Sequence, residues 1–514
     1  MTKPRDAAAD GGALLPFRLP GALLVLAAVT ACGAAPPEQV RDASFGDDPF
    51  GMDGEVRHPA VDSLFADLEE EGGPGASVLV LDGGAVAHRA GHGMADLEQG
   101  VPLAPSSVFD VASVAKPLTG MAIALLAEDG ALSVEDDVRD HVPEFPDFGE
   151  PIRIRHLLHH TSGLRDWPGT LRAAGWDYAD IISYHQILEM ARHQEDLNFP
   201  PGEQYTYSNT GYNLLAEIVT RVTDTPFARW KDENLFGPLG MEDTHVQDHH
   251  GRLVPNRAVS YRPGAVGLAA QKGEASDGLG YRRVSNLLTA MGSSSLFTTV
   301  DDLGRWLLHL ADPDGRAGGA AVVERMREEG ELDSGEGVGY AYGLSLGEHR
   351  GLETLGHGGS WAGYRTQVLY YPEEDFGVVV LGNRSDLNAG ARSRQVAVHF
   401  LEDAMEDTDS GRSRSSSSRQ DESEPDPEVD PEDYVGEYRS DELRTSYRIE
   451  ERDGELVLWH FRRGEFVLSP RGDDVLASRA LGVMEFDRDG DGAVTGFRAT
   501  LGQRNRDLRF ERVR

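Results

Sequence analysis

Three features of the sequence predict an α/β (α+β) fold followed by a small, separate all-β domain. The apolar run 76–81, the turn residues Asp82-Gly83-Gly84 and the returning run 85–89 form a β-hairpin pattern. Strand-like stretches reappear much later, at 342–346, 354–357, 364–371 and 376–381, with helical periodicity in between. From residue 431 onward only short alternating stretches separated by turn residues remain (447–451, 455–461, 465–468, 483–486, 493–500, 506–510). That last pattern belongs to a barrel or sandwich.

The 514 residues leave room for more than one domain, and 39% hydrophobic content supports a sizeable core. A formal net charge of −38 excludes nucleic acid and anionic membrane surfaces as partners. Cys32 is the single cysteine, so no intramolecular disulfide forms. Lys3, Arg5 and Arg18 precede the apolar run 19–29, which ends in Val29-Thr30-Ala31-Cys32-Gly33. A charged start, a short apolar stretch and small residues at its end make an export signal. It resembles a bacterial lipoprotein signal, with residues 1–32 removed or modified and Cys32 lipidated. The expectation is an exported protein, lipid-anchored to a bacterial membrane and facing the periplasm or exterior. No other stretch approaches the ~20 apolar residues of a membrane span.

Residues 33–57 are expected to be a flexible tether. Val61, Leu64, Phe65 and Leu68 then fall at helical spacing. A second helix is predicted from Ser113, where Met121, Ile123, Leu125 and Leu126 supply the apolar face, and a third from 132–138 with Ser133 as cap. Residues 154–164 predict a short helix ending at Gly163. Its His156, His159 and His160 have no carboxylate or cysteine companion at ligand spacing, so neither a metal nor another cofactor is expected. The cluster His245, His249 and His250 suits a solvated loop. A turn at 199–203 precedes Tyr205 to Tyr212, and a helix is predicted from Asn213. Another capped helix follows Thr299. Residues 404–430, rich in Ser, Asp, Glu and Pro, predict a disordered linker between a domain at 58–403 and the all-β domain at 431–514. Asp487, Asp489, Asp491 and Gly492 imitate an EF-hand loop, but Arg498 stands where the bidentate Glu belongs. A hairpin turn is expected there.

The chemistry-bearing stretch is Ser113-Val114-Ala115-Lys116. Three residues apart on a helix, Ser113 and Lys116 share a face, so the amine can reach the hydroxyl. The chain has only four lysines among 49 basic residues, and this one is flanked by small apolar side chains. A serine needs a base to become a nucleophile, and a lysine serves when burial lowers its pKa. Two companions follow in the chain, Tyr207-Ser208-Asn209 and His357-Gly358-Gly359-Ser360. In this order the three motifs resemble the serine penicillin-recognising enzymes. Within that group the Tyr-x-Asn branch is the nearer one: class C β-lactamases, D-Ala-D-Ala carboxypeptidases, D-aminopeptidases and family VIII esterases. Leu157-Leu158-His159-His160-Thr161-Ser162-Gly163-Leu164 also matches that branch.

The resemblance implies an antiparallel sheet flanked by helices with a helical subdomain, and a lipocalin-like C-terminal domain able to cap the site. It implies that Ser113 forms an acyl-enzyme and that Lys116 moves protons together with a Tyr207 phenol whose pKa the lysine lowers. Asn209 would bond the lysine or the substrate amide. His357, Gly358, Gly359 and Ser360 would bind substrate, with the two glycines letting it lie along the strand. The N–H groups of Ser113 and Ser360 would form the oxyanion hole. Where many relatives carry Lys-Thr-Gly, this chain has His-Gly-Gly, which weakens the hold on a substrate carboxylate, and no class A-type deacylating Glu is identifiable. The expected function is therefore an exported serine hydrolase acting on an amide or ester of a small-molecule or short-peptide, D-amino-acid-like substrate. The alternatives are a β-lactamase proper, or a catalytically silent penicillin-binding or wall-binding scaffold.

Overall fold

Ser77-Val78-Leu79-Val80-Leu81 is buried on both faces, and this sets the architecture. A strand with no solvent face needs a helical layer on each side. The computed structural model describes Phe50 and residues 54–70, 72–264, 280–406 and 430–513. Cys32, the proposed signal, most of the tether and nearly all of the 404–430 linker lie outside those residues.

Six strands make the central sheet: β1 (Ala76–Asp82), β2 (Ala85–His92), β3 (Ser345–His349), β4 (Leu352–Trp361), β5 (Tyr364–Tyr371) and β6 (Phe376–Gly382). Their order is β3-β4-β5-β6-β1-β2, antiparallel throughout. The N-terminal hairpin thus docks against the last strand of the later block. Val78 and Val80 pack with Val378 and Val380 against helices α1 (Pro59–Glu70) and, further along the chain, residues Ala389–Leu401. Leu79, Leu81, Val379 and Leu381 point the other way, into the core shared with α2 (Ala115–Glu128), α3 (Asn209–Thr223) and α4 (Val300–Ala311). Alternate residues of one apolar run serve two cores.

Local departures from the predicted elements are small. The helix expected from Asn213 begins at Asn209. Ser133 does not cap a helix; it sits in a turn, and Asp137 caps residues Val138–His141 by accepting the Arg139 N–H. The helix expected to end at Gly163 stops at Leu158, leaving 159–166 as a buried loop. His245 lies in a short strand stacked on Phe297 rather than in a solvated loop.

The C-terminal region is a nine-stranded antiparallel sheet, β7 (Gly436–Ser440), β8 (Thr445–Arg452), β9 (Glu455–His460), β10 (Gly464–Val467), β11 (Ser469–Gly472), β12 (Val475–Ser478), β13 (Gly482–Arg488), β14 (Val494–Thr500) and β15 (Leu508–Arg512). Its order is β10-β9-β8-β7-β15-β14-β13-β12-β11. The two outermost strands are joined through Leu468 alone, so the sheet curls until its edges nearly meet. Tyr438, Tyr447, Leu458, Met484, Phe497 and Phe510 fill the interior. The Asp487–Gly492 stretch is a hairpin turn, with Asp489 accepting the N–H groups of Asp491 and Ala493. No helix among the described residues is long and apolar enough to cross a membrane.

The barrel-like region docks on the loop and short helix after residue 163. Ala173 sits in the barrel's own core, and the Tyr447 hydroxyl donates to its carbonyl at 3.0 Å. Arg165 is buried, ion-pairs with Glu442, and donates to the carbonyls of Arg506 (3.0 Å) and Asp507 (3.2 Å).

Candidate active site

Ser113 lies in a single 3₁₀ turn, Ala112–Val114, immediately before α2. Ala112 is held in the left-handed region at φ 49°. Its N–H donates to Asp110 Oδ1 at 2.8 Å, and Asn286 Nδ2 donates to the other carboxylate oxygen at 2.7 Å. A strained residue fixed in this way aims the next side chain. The N–H of Ser113 has no acceptor among the described residues.

Lys116 is fully buried, and its Nζ has three neighbours: Asn209 Oδ1 at 2.8 Å, the Ser293 carbonyl at 2.8 Å and Ser113 Oγ at 3.2 Å. Burial holds the amine well below its ordinary pKa; Asp166 pulls it up and Arg504 pushes it down. A neutral amine has two N–H groups and one lone pair. Asn209 Oδ1 and the Ser293 carbonyl accept only, so they take the two N–H groups. The lone pair is left facing the Ser113 hydroxyl, which then donates to it. That is the geometry of a general base.

Tyr207 is half-buried at the cleft, and Lys116 Nζ lies over its ring, 4.8 Å from the centroid. Burial pushes its phenol up, only partly offset by a hydrogen bond with Ser113. This corrects the expectation that the lysine lowers the phenol. Burial governs the phenol more than the lysine above its ring does, so Tyr207 remains a hydroxyl donor. His160 packs beneath it at 4.2 Å between centroids and accepts the Ser208 N–H.

Asn209 bonds the lysine, as one of the two expectations had it, and is itself oriented by Asp166. Both its backbone N–H and its Nδ2 donate to Asp166 Oδ1 at 2.9 Å. Asp166 occupies the N-cap position of the helix Trp167–Ala173, yet makes no side-chain cap bond there. Its other oxygen accepts from Arg504 at 3.3 Å.

The third motif lies on β4. The two-residue turn to β5 makes Trp361 and Tyr364 a hydrogen-bonded pair, so along the register Ser360 and Gly358 turn their N–H and C=O groups away from β5. The neighbouring β3 pairs with β4 only up to Gly356, leaving those groups on an open edge facing the cleft. Gly359 has a different use from the one expected. A Cβ there would stand 2.2 Å from the Val111 carbonyl oxygen and 2.1 Å from Thr366 Oγ1. Its absence lets β4 press against the segment carrying Ser113. Gly359→Ala is expected to lose about 1–3 kcal/mol of stability by overpacking and, by shifting Ser113, about 10²-fold in serine reactivity. Gly358→Ala, whose one tight contact is the flexible end of Gln367, serves as comparison. Thermal unfolding and probe-labelling rates read both.

His357 does not line the cleft. Its Nδ1 bonds the Gly358 carbonyl at 2.7 Å and its Nε2 the Tyr340 hydroxyl at 3.0 Å, and burial lowers its pKa to about 3. A neutral ring with both nitrogens engaged offers a substrate carboxylate nothing. The cleft itself encloses about 1220 Å³ and is bordered by Ser113, Tyr207, Asn209, Ser360, Trp361 and Arg504. Asp166 and Arg504 carried no motif signal. The one available hint was an acid two residues after the Thr161-Ser162-Gly163-Leu164 stretch.

The three histidines of 156–160 do not converge; His156, for instance, accepts the Arg153 N–H. Among the described residues, Asp62, His88 and His92 alone have ligand atoms close enough for a metal, within 4.8 Å of one another. Hydrogen bonding accounts for them otherwise. The His58 N–H donates to His88 Nδ1, so a neutral His88 carries its proton on Nε2 and donates to His92 Nε2 at 3.3 Å. His92 Nδ1 then donates to Glu69 at 2.9 Å. The chain is satisfied without an ion.

The family described as Beta-lactamase matches residues 61–402. Penicillin-binding protein 4* of Bacillus subtilis (strain 168) is 32% identical over 334 residues, covering 63% of this chain and 72% of the relative. The D-aminopeptidase of Gluconobacter oxydans (strain 621H) is 28% identical over 313 residues, 60% of this chain and 56% of its own length. Among solved structures, the penicillin-binding protein homologue from Pyrococcus abyssi superposes with a TM-score of 0.57 at 20% identity, covering 88% of this chain and 98% of that one. The D-amino acid amidase from Ochrobactrum anthropi SV3 gives 0.56 at 21% identity, covering 67% and 98%. A family match over most of the sheet-and-helix part, on the same fold, places this chain in the beta-lactamase family of penicillin-binding-protein-like hydrolases.

Proposed function

We propose that this chain is an exported serine hydrolase that forms an acyl-enzyme on Ser113 and cleaves an amide or ester bond in a small, D-amino-acid-like substrate. The observation that carries the reading is the buried Lys116 amine, with two fixed acceptors for its N–H groups and the serine hydroxyl at its lone pair. Lys116 takes the Ser113 proton as Oγ attacks the substrate carbonyl. The resulting oxyanion accepts from the N–H groups of Ser113 and Ser360. Tyr207, a hydroxyl beside Ser113, passes a proton to the leaving nitrogen or oxygen and recovers one from Lys116. Water then attacks the acyl-enzyme with the same groups in reverse. Export and lipid anchoring at Cys32 rest on the sequence of residues 1–33.

Arg262, Arg282, Arg283 and Arg365 border the same cleft in a chain of net charge −38. They favour an anionic group on the substrate and disfavour a cationic one. With His357 neutral and turned away, a β-lactam carboxylate lacks its usual cation on this strand, which supports amide and ester substrates over lactams.

The test combines intact mass after a fluorophosphonate with turnover of p-nitrophenyl esters, D-amino-acid amides and nitrocefin, including acidic and neutral members of each series. A single adduct mapped to Ser113, with turnover of acidic esters or amides above nitrocefin, is expected. Absence of an adduct and of any turnover would replace this reading with the silent scaffold.

A further inference from the structure

We propose that Arg504, carried by the C-terminal barrel, is a positioning residue of the hydrolase site: it supplies the counter-charge to Asp166 and so leaves Lys116 free to act as base. The inference rests on Lys116 being the base of the proposed reaction.

The geometry is a short relay. Arg504 reaches Asp166 Oδ2 at 3.3 Å, Asp166 Oδ1 accepts from Asn209 at 2.9 Å, and Asn209 Oδ1 accepts from Lys116 at 2.8 Å. The guanidinium also lies over the Tyr207 ring, 4.8 Å from its centroid. The loop that carries it, between β14 and β15, is fastened on several sides. The Arg504 carbonyl accepts from the Asp166 N–H at 3.1 Å and from Asn198 Nδ2 at 3.0 Å. Asn505 accepts from Thr170 at 2.7 Å, and the Arg506 N–H donates to Asn198 Oδ1 at 2.8 Å. Gly169 is glycine where a Cβ would strike the Asn505 amide at 2.1 Å. A side chain that is 51% exposed therefore starts from an anchored backbone and lands on a carboxylate that is only 5% exposed.

Asp166 creates the need for it. A buried carboxylate linked to the base through a single side chain, Asn209, favours the ammonium, which has no lone pair to accept the serine proton. The other titratable groups facing Lys116 are Tyr207, Tyr212, His160 and His357. Burial pushes both phenols up and both imidazoles down, so all four are neutral near pH 7. Asp166 and Arg504 are then the two charges that compete over the amine, and they oppose one another. The barrel thus contributes chemistry to a site whose motifs all lie in the other part of the chain.

The test uses the full chain and the rate of fluorophosphonate labelling from pH 5 to 10, which needs no knowledge of the substrate. Arg504→Gln should move the acid limb of the profile up by about one pH unit, slowing labelling about tenfold on that limb and little on the alkaline plateau. Arg504→Lys should restore most of the rate. Asp166→Asn, which keeps an oxygen for Asn209, should leave only Arg504's direct repulsion of the amine, so Arg504→Gln on that background should shift the profile far less than it does in the wild type. A uniform fall at every pH, or an unchanged profile in Arg504→Gln, would overturn the proposal. A wild-type chain that takes no label at any pH would instead overturn the serine-hydrolase reading itself.

Discussion

Ser113→Ala should lower turnover of the best substrate by at least about 10⁴-fold, with the unfolding midpoint nearly unchanged. The side chain removed is small and its hydroxyl faces the cleft, so little packing is lost. Lys116→Ala should fall to the same floor, and the double variant no lower, because nucleophile and base act as one unit. Equality of the three variants separates this arrangement from one in which Lys116 merely shapes the site. Residual turnover of Ser113→Ala near that of the wild type would sink the mechanism. Lys116→Ala carries a second cost, since Asn209 Oδ1 and the Ser293 carbonyl lose a shared donor inside the protein.

Breaking the Arg165–Glu442 pair is the other large expected effect. The side chains are 1% and 4% exposed, and the pair joins the hydrolase loop to the barrel. Glu442→Ala leaves a guanidinium buried with only the carbonyls of Arg506 and Asp507 as acceptors. An orphaned buried charge costs about 3–5 kcal/mol, far more than an exposed pair of the same kind. Chemical denaturation should show that loss, and Arg165→Met/Glu442→Leu should recover much of it. The double variant should slow labelling at low pH, because Arg165 holds the Arg506 and Asp507 carbonyls of Arg504's loop. A stability change below about 1 kcal/mol would mean the barrel is held chiefly by other contacts.

The sequence by itself determined a good deal. Alternation and turn chemistry placed the hairpin 76–89, the later strand block and the all-β C-terminus, because each signal sits within a few residues. Ser113 and Lys116 were legible for the same reason: two residues three apart at a helix start meet whatever the rest of the chain does. Tyr207 and Asn209 were legible through their motif, and their meeting with Lys116 follows from α2 packing on α3. The use of the glycines and of His357 was not legible. Whether Gly359 faces substrate or the Val111 carbonyl, and whether His357 faces the cleft or Tyr340, depends on which side of β4 each residue takes once β5 has paired. The phenol of Tyr207 was misjudged because the lysine's pull was weighed and the phenol's own burial was not. Asp166 and Arg504 were beyond reach altogether: they are separated by 338 residues, and neither periodicity nor spacing encodes a contact made only when one folded unit docks on another. Local pattern specifies elements and short-range chemistry. The electrostatic setting of the base is decided by what tertiary packing brings next to it, since in a buried site one neighbouring charge at hydrogen-bond range outweighs the intrinsic preference of the side chain.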